Sequence, residues 1–96
     1  MEFLAEVVIT VPEGTTEADV RSATDAERAR ARELVDAGHL VRIWRPRLPG
    51  WRNVGLWRAN DEPELRSLMA SLPLFPWMSM EIRPLDPHPS DPLQVQ

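Results

Sequence analysis

The chain has 96 residues, enough for one domain with one modest core, and its 15 acidic and 11 basic residues give a net charge of -4. This acidic balance argues against a nucleic-acid surface or an anionic membrane as partner. All 11 basic residues are arginine and cysteine is absent, which excludes lysine Schiff bases, disulfides, thiolate nucleophiles and thiolate metal sites.

The first predicted element is a strand over residues 2–11, which alternate between two faces and end at Pro12. One face is fully apolar and consists of Phe3, Ala5, Val7, Ile9 and Val11. No apolar run reaches the length of a membrane span, and the N-terminal residues lack the layout of a signal peptide. We therefore expect a cytoplasmic protein.

Residues 16–38 predict an amphipathic helix, capped by Thr15 or Thr16 and closed by Gly38. Glu27 falls in the middle of its apolar stripe, among Val20, Ala23, Ala31 and Leu34. A carboxylate on the core side loses hydration, which raises its pKa and suits it to proton transfer near neutral pH. The alternative interpretation of Glu27 is a structural residue paired with a buried arginine.

Residues 39–45 predict the second strand. We expect Val41 and Ile43 on the core side, with Arg45 on that same side, and the opposite face to hold Leu40, Arg42 and Trp44. Arg45 would then enter a cleft beside Glu27, where its planar guanidinium suits the carboxylate of a small organic acid. The alternative is a simple ion pair with Glu27, which would lower the pKa of that carboxyl group. His39 and Trp44 are further predicted substrate contacts.

A loop over residues 46–50 precedes a third strand, residues 51–58, which we expect to pair with the second as a hairpin. Trp51 lies where the pocket mouth would be and is a candidate substrate contact, although plain packing is the alternative for each tryptophan. Asn53 is polar among apolar neighbours. It could donate a hydrogen bond to a carbonyl or enolate oxygen, or satisfy a strand edge.

A second helix opens at residues 60–64, and Pro73 ends it. Its core positions are Leu65, Leu68, Met69 and Leu72. Residues 77–85 predict a fourth strand with Met78, Met80 and Ile82 on its apolar side. Residues 1–86 thus form one domain, and residues 87–96 form a proline-rich tail that hangs free or, as we expect, packs on a neighbouring subunit.

The order βαββαβ predicts an α+β, ferredoxin-like fold: a four-stranded antiparallel sheet with both helices on one face. The open face would hold Leu4, Val8, Leu40 and Trp44, which is too apolar to leave in water. We therefore predict a homo-oligomer that associates through this face. No metal site is predicted, since His39 and His88 are far apart and lack partners at ligand spacing.

The segment LPLFPWM, residues 72–78, with Glu81 and the His-Pro-Ser run at 88–90, resembles the muconolactone delta-isomerase family. The similarity covers nearly the full length. It includes Asp25-Ala26-Glu27, Gly38, Trp44-Arg45 and Asn53. The chain departs from the family in lacking lysine, and its loop over residues 46–52 is longer and carries more proline.

This resemblance implies a ferredoxin-like subunit of a homodecamer, with a dimer as the minimum, and neither metal nor organic cofactor. It implies an isomerase that converts muconolactone, or a close analogue, to 3-oxoadipate enol-lactone in bacterial aromatic degradation, the beta-ketoadipate pathway. Glu27 would act as base and then acid, Arg45 would bind the substrate carboxylate and Asn53 the carbonyl oxygen. Two alternatives stay open: a cyclase or lactone-processing enzyme acting on another small acid or polyketide-like intermediate, and a non-catalytic binding or assembly subunit.

Overall fold

The structure, a computed structural model, describes residues 1–93, so the last three residues of the predicted tail lie outside it. In chain order the elements are β1 (Glu2–Ile9), α1 (Glu17–Asp36), β2 (Leu40–Trp44), β3 (Trp51–Arg58), α2 (Glu62–Ala70), a 3-10 turn (Phe75–Trp77) and β4 (Met78–Leu85). The strands form one antiparallel sheet in the order β2-β3-β1-β4. The predicted ferredoxin-like βαββαβ fold is confirmed.

β1 lies inside the sheet, paired with β3 on one side and β4 on the other. Its predicted apolar face is buried, since Phe3, Ala5, Val7 and Ile9 pack in one core with Leu34 of α1 and with Leu65 and Met69 of α2. Both helices therefore cover the same face. The strand ends at Ile9, two residues before the predicted end. The Thr10 N–H still donates to the carbonyl oxygen of Trp77, its partner in the β1–β4 register, at 2.8 Å, but Trp77 belongs to the 3-10 turn and not to β4.

α1 has the predicted start, since the Thr16 hydroxyl accepts a hydrogen bond from the Asp19 N–H at 3.1 Å. At the other end the C-cap is Ala37, so Gly38 lies one residue beyond the predicted position. Its φ of +81° lies in the left-handed region that favours glycine, and from there its N–H reaches the Val35 carbonyl. In the part of the chain that the structure describes, no helix is both long and apolar enough to cross a membrane.

β2 contains a β-bulge that the alternation of the sequence does not reveal. Leu40 pairs with Trp57 and Arg42 pairs with the preceding residue of β3, so Val41 is an extra residue without a partner. The bulge turns Leu40 into the core, where it is 6% exposed, and leaves Val41 38% exposed. The predictions that Val41 faces the core and that Leu40 lies on the open face are therefore wrong.

Beyond the bulge the predicted alternation of β2 returns. Ile43 lies opposite Gly55 and therefore on the helix side as predicted, but it is 56% exposed and does not join the core. Trp44 lies opposite Val54 on the open face. Trp44 is 42% exposed, and the Arg42 guanidinium lies 5.0 Å from the centre of its ring. The open face thus keeps apolar area at Trp44, and association through it stays a prediction.

The tail beyond β4 is exposed, and its hydrogen bonds are local. The Ser90 N–H donates to Nδ1 of His88 at 2.9 Å, and the Asp91 N–H donates to the His88 carbonyl at 2.9 Å. Leu93 is 87% exposed. The proposal that this tail packs on a neighbouring subunit stays a prediction, and residues 94–96 lie outside the described part.

Candidate functional site

A cleft of about 360 Å³ lies between α1 and the end of the sheet formed by β2 and β3. The structure brings five of the six predicted site residues to this cleft: Glu27, Trp44, Arg45, Trp51 and Asn53. His39 lines a separate depression beside Met1 and Arg58. It stands just before β2, whereas Arg45 follows the strand, so the length of β2 separates them. The Nδ1 atom of His39 lies 2.9 Å from the carbonyl oxygen of Arg58.

Glu27 lies on the inner side of α1, as predicted, and is half-buried. Its Oε1 accepts a hydrogen bond from the backbone N–H of Leu74 at 2.9 Å. Behind the carboxylate is a second, mostly apolar space of about 40 Å³, bounded by side chains such as Leu40, Trp57 and Leu72. Glu27 and Asn53 line both spaces. The carboxylate therefore stands between an open cleft and the apolar core.

This position changes the proton affinity of the carboxyl group. Burial raises the pKa of Glu27 above its ordinary value of 4.5, and the hydrogen bond from Leu74 opposes the rise. No arginine among residues 1–93 forms an ion pair with Glu27. An ion pair with Arg45 would have lowered the pKa instead, so the alternative interpretation of Glu27 as one half of a buried ion pair does not describe this structure.

The raised pKa predicts how stability depends on pH. Because the folded state binds the Glu27 proton more tightly than the unfolded state does, the group favours folding fully below its ordinary pKa of 4.5. That contribution is lost as pH rises through the folded-state pKa. We expect the free energy of unfolding of the native chain to fall across this window relative to Glu27→Gln, as measured by urea unfolding of both proteins at several pH values. If the free energy of unfolding changed with pH in the same way in both proteins, the raised pKa of Glu27 would be contradicted.

The cleft is bordered by three arginines, of which the sequence singled out one. Arg28 comes from α1, Arg45 follows β2 and Arg52 belongs to β3. Arg52 is held in place by a hydrogen bond from its Nε to the Pro49 carbonyl at 2.7 Å. Arg45 is exposed, and no carboxylate within residues 1–93 pairs with it. These charges make the cleft suited to an anion.

Three contributors were missed by the sequence reasoning: Arg28, Arg52 and the N–H of Leu74. Arg28 follows Glu27 directly, and its charge alone marked it only as part of a solvent-facing surface. The N–H of Leu74 is a backbone group, so no residue type could reveal it. The segment of residues 72–78 did stand out as a motif. Because this segment lies beside Glu27 in the structure, the motif is the sequence signal that could have indicated the contact. Within residues 1–93, no three side chains of metal-binding types converge on one point.

Together these groups supply a proton-transfer residue, a cationic border and an amide. A carboxylate with a raised pKa can remove and return a proton, and a guanidinium can hold a carboxylate. The amide of Asn53 can donate to an oxygen on which negative charge develops. The arrangement suits proton movement within a small organic anion.

Comparisons with known proteins identify one family. The sequence model of the family described as Muconolactone delta-isomerase matches residues 1–91. A muconolactone delta-isomerase of Rhodococcus opacus is 38% identical over 73 residues, which are 75% of this chain and 77% of that protein. One from Cupriavidus pinatubonensis is 28% identical over 90 residues, covering 94% of this chain and 97% of that protein. A crystal structure of muconolactone isomerase superposes with a TM-score of 0.87 at 24% identity, over 99% of this chain and 98% of that one, which shows the shared fold.

Proposed function

Because the chain belongs to the muconolactone delta-isomerase family, we propose that it isomerises muconolactone, or a close analogue, to 3-oxoadipate enol-lactone without a cofactor. The observation that carries this proposal is the placement of Glu27. It is a half-buried carboxylate with a raised pKa, at the inner side of a cleft bordered by arginines. Such a group can act as a base in one step and as an acid in the next.

In the proposed reaction, ionised Glu27 removes a proton from one carbon of the unsaturated lactone and becomes a neutral carboxylic acid. The electron pair left behind spreads through the double bond to the lactone carbonyl, forming a dienolate. The same carboxylic acid then delivers the proton to the other carbon, and the double bond has moved. The substrate and product have the same atoms, and Glu27 returns to its ionised form.

The other residues of the cleft have binding roles in this proposal. Arg45 holds the carboxylate of the substrate, because its guanidinium is exposed and unpaired with any acid among residues 1–93. Asn53 donates to the lactone oxygen as negative charge develops there. Trp51 limits the cleft on the sheet side, and Trp44 borders it at the end of β2, from the opposite face of the sheet. His39 takes no part in the cleft of its own subunit, so we assign it no role there.

The direct test is to incubate the purified protein with muconolactone and to follow formation of the enol-lactone by ultraviolet absorbance or proton NMR. We expect conversion without any added metal or cofactor, and unchanged conversion after treatment with a chelator. Absence of conversion at high enzyme concentration would contradict this function.

We also propose that the protein is a homo-oligomer, a decamer in the arrangement that the resemblance implies. The exposed apolar area at Trp44 and the exposed tail up to Leu93 support association. Size-exclusion chromatography with light scattering should give a mass well above that of one chain. A stable monomer at micromolar concentration would contradict the proposal.

A further inference from the structure

The backbone turn over residues 72–77 contains one N–H group that differs from the rest. Its other N–H groups donate to nearby backbone carbonyls: Leu72 to Met69 at 3.0 Å, Phe75 to Leu72 at 2.9 Å and Trp77 to Leu74 at 2.9 Å. Pro73 and Pro76 have no N–H to donate. The remaining donor is the N–H of Leu74, and its acceptor is the side chain of Glu27, 47 residues earlier in the chain.

The turn that carries this donor is anchored on both sides. The side chains of Leu72 and Leu74 are 6% and 2% exposed, so both are fixed in the core. The carbonyl of Trp77 accepts a hydrogen bond from the Thr10 N–H at 2.8 Å, which joins the turn to the end of β1. The direction of the Leu74 N–H is therefore set by the fold before any substrate enters the cleft.

This contact distinguishes the two oxygens of Glu27. Oε1 is occupied by the Leu74 N–H, whereas Oε2 has no hydrogen-bond partner among residues 1–93. A hydrogen bond that a carboxylate accepts stabilises its ionised form, and it restricts rotation of the carboxyl group. One oxygen is thus held while the other stays free.

We propose that the backbone amide of Leu74, presented by the turn over residues 72–77, is a positioning group for Glu27: it fixes Oε1 and leaves Oε2 to carry the transferred proton. The inference rests on the proposed isomerase function and adds a role for the motif at residues 72–78. The amide also opposes the effect of burial on the pKa of Glu27, and it thereby favours the ionised form that acts as a base.

The test replaces the amide at Leu74 with an ester, by incorporating the α-hydroxy analogue of leucine into the full-length chain. This change removes the N–H and keeps the buried side chain. We expect the pKa of Glu27, followed by carbon NMR of its carboxyl group in the protein without substrate, to move upward. In assays with muconolactone, the acidic limb of the plot of kcat against pH should move to higher pH as well. The value of kcat/KM near neutral pH should fall roughly tenfold.

The matched control is the same ester at Phe75. It removes the hydrogen bond from Phe75 to Leu72 in the same turn and leaves the donor to Glu27 in place. The charged groups around the cleft, Arg28, Arg45 and Arg52, are the same in both proteins. We expect no shift in the pKa of Glu27 for this control. An unmoved pKa in the Leu74 ester, or an equal shift in both esters, would overturn the positioning role.

A second measurement needs no altered backbone. In the native chain, the amide proton of Leu74 should change its chemical shift with the same midpoint as the titration of Glu27, and Glu27→Gln should remove this titration. A Leu74 amide that does not follow Glu27 would also overturn the inference. Both NMR experiments are done without substrate. Inactivity toward muconolactone would therefore refute the proposed reaction, while the two titrations would still test the contact between Leu74 and Glu27. An active enzyme with an unmoved pKa would refute the positioning role alone.

Discussion

Replacing Glu27 with glutamine is expected to lower kcat for muconolactone by at least about a hundredfold, since general acid–base catalysis typically contributes 10²- to 10⁴-fold. Glutamine has nearly the same shape but cannot accept and return the proton. Its side-chain oxygen can still accept the hydrogen bond from the Leu74 N–H, which holds Oε1 of Glu27 in the native chain. The protein should therefore stay folded, and the loss should appear in kcat under saturating substrate.

The control for this change is Glu17→Gln, at an exposed position in the first turn of the same helix. It removes one carboxylate from α1 without touching the cleft, and its kcat should match that of the native chain. Thermal unfolding of both variants separates loss of catalysis from loss of structure. Full activity in Glu27→Gln would end the proton-transfer role of this residue.

Replacing Arg45 with alanine is expected to raise KM for muconolactone roughly tenfold or more, the effect of losing a hydrogen bond between charged groups. The carboxylate of the substrate does not change during the reaction, so Arg45 should bind the ground state and the transition state about equally. Such uniform binding affects KM and leaves kcat nearly unchanged. Steady-state kinetics over a wide range of substrate concentration would measure both constants.

Arg47→Ala is the matched control for Arg45→Ala. Arg47 is exposed in the loop after β2 and does not line the cleft, yet its removal changes the net charge by the same amount. A rise in KM that is equal in both variants would indicate general electrostatic attraction. An unchanged KM in Arg45→Ala would mean that the carboxylate binds elsewhere, with Arg28 and Arg52 as the nearest candidates in the cleft.

The two variants together separate proton transfer from binding. Glu27→Gln should lower kcat with little effect on KM, and Arg45→Ala should have the opposite pattern. A chain that only binds a ligand would show no turnover for either variant to change. The pair therefore also discriminates the isomerase from a non-catalytic binding subunit.

Much of the architecture follows from local patterns in the sequence. Alternation in residues 2–9 predicted β1 and its buried face, and the acidic and proline residues at positions 61–64 predicted the start of α2. The inward position of Glu27 followed from helical periodicity alone. These features depend on the period of one element, so neighbouring residues are enough to reveal them.

The bulge in β2 could not be read in the same way. It depends on how β2 pairs with β3, and the simple alternation of residues 39–45 placed Leu40 and Val41 on the wrong faces. The last strand was predicted to begin at Trp77, which instead ends a 3-10 turn, because the Trp77 N–H bonds to Leu74 within that turn. Both errors arise where hydrogen bonding overrides the pattern of side chains.

The sequence by itself determined the order of elements, the inward carboxylate at Glu27 and the resemblance that named its family. The tertiary structure decided which groups surround that carboxylate: it separated His39 from the cleft, brought Arg28 and Arg52 to it, and placed the Leu74 N–H on Oε1. The physical reason is that side-chain periodicity is a local property. The contact between Leu74 and Glu27 joins residues 47 positions apart, and its donor is a backbone N–H, which every residue except proline possesses. It forms only when the helix, the sheet and the turn pack together.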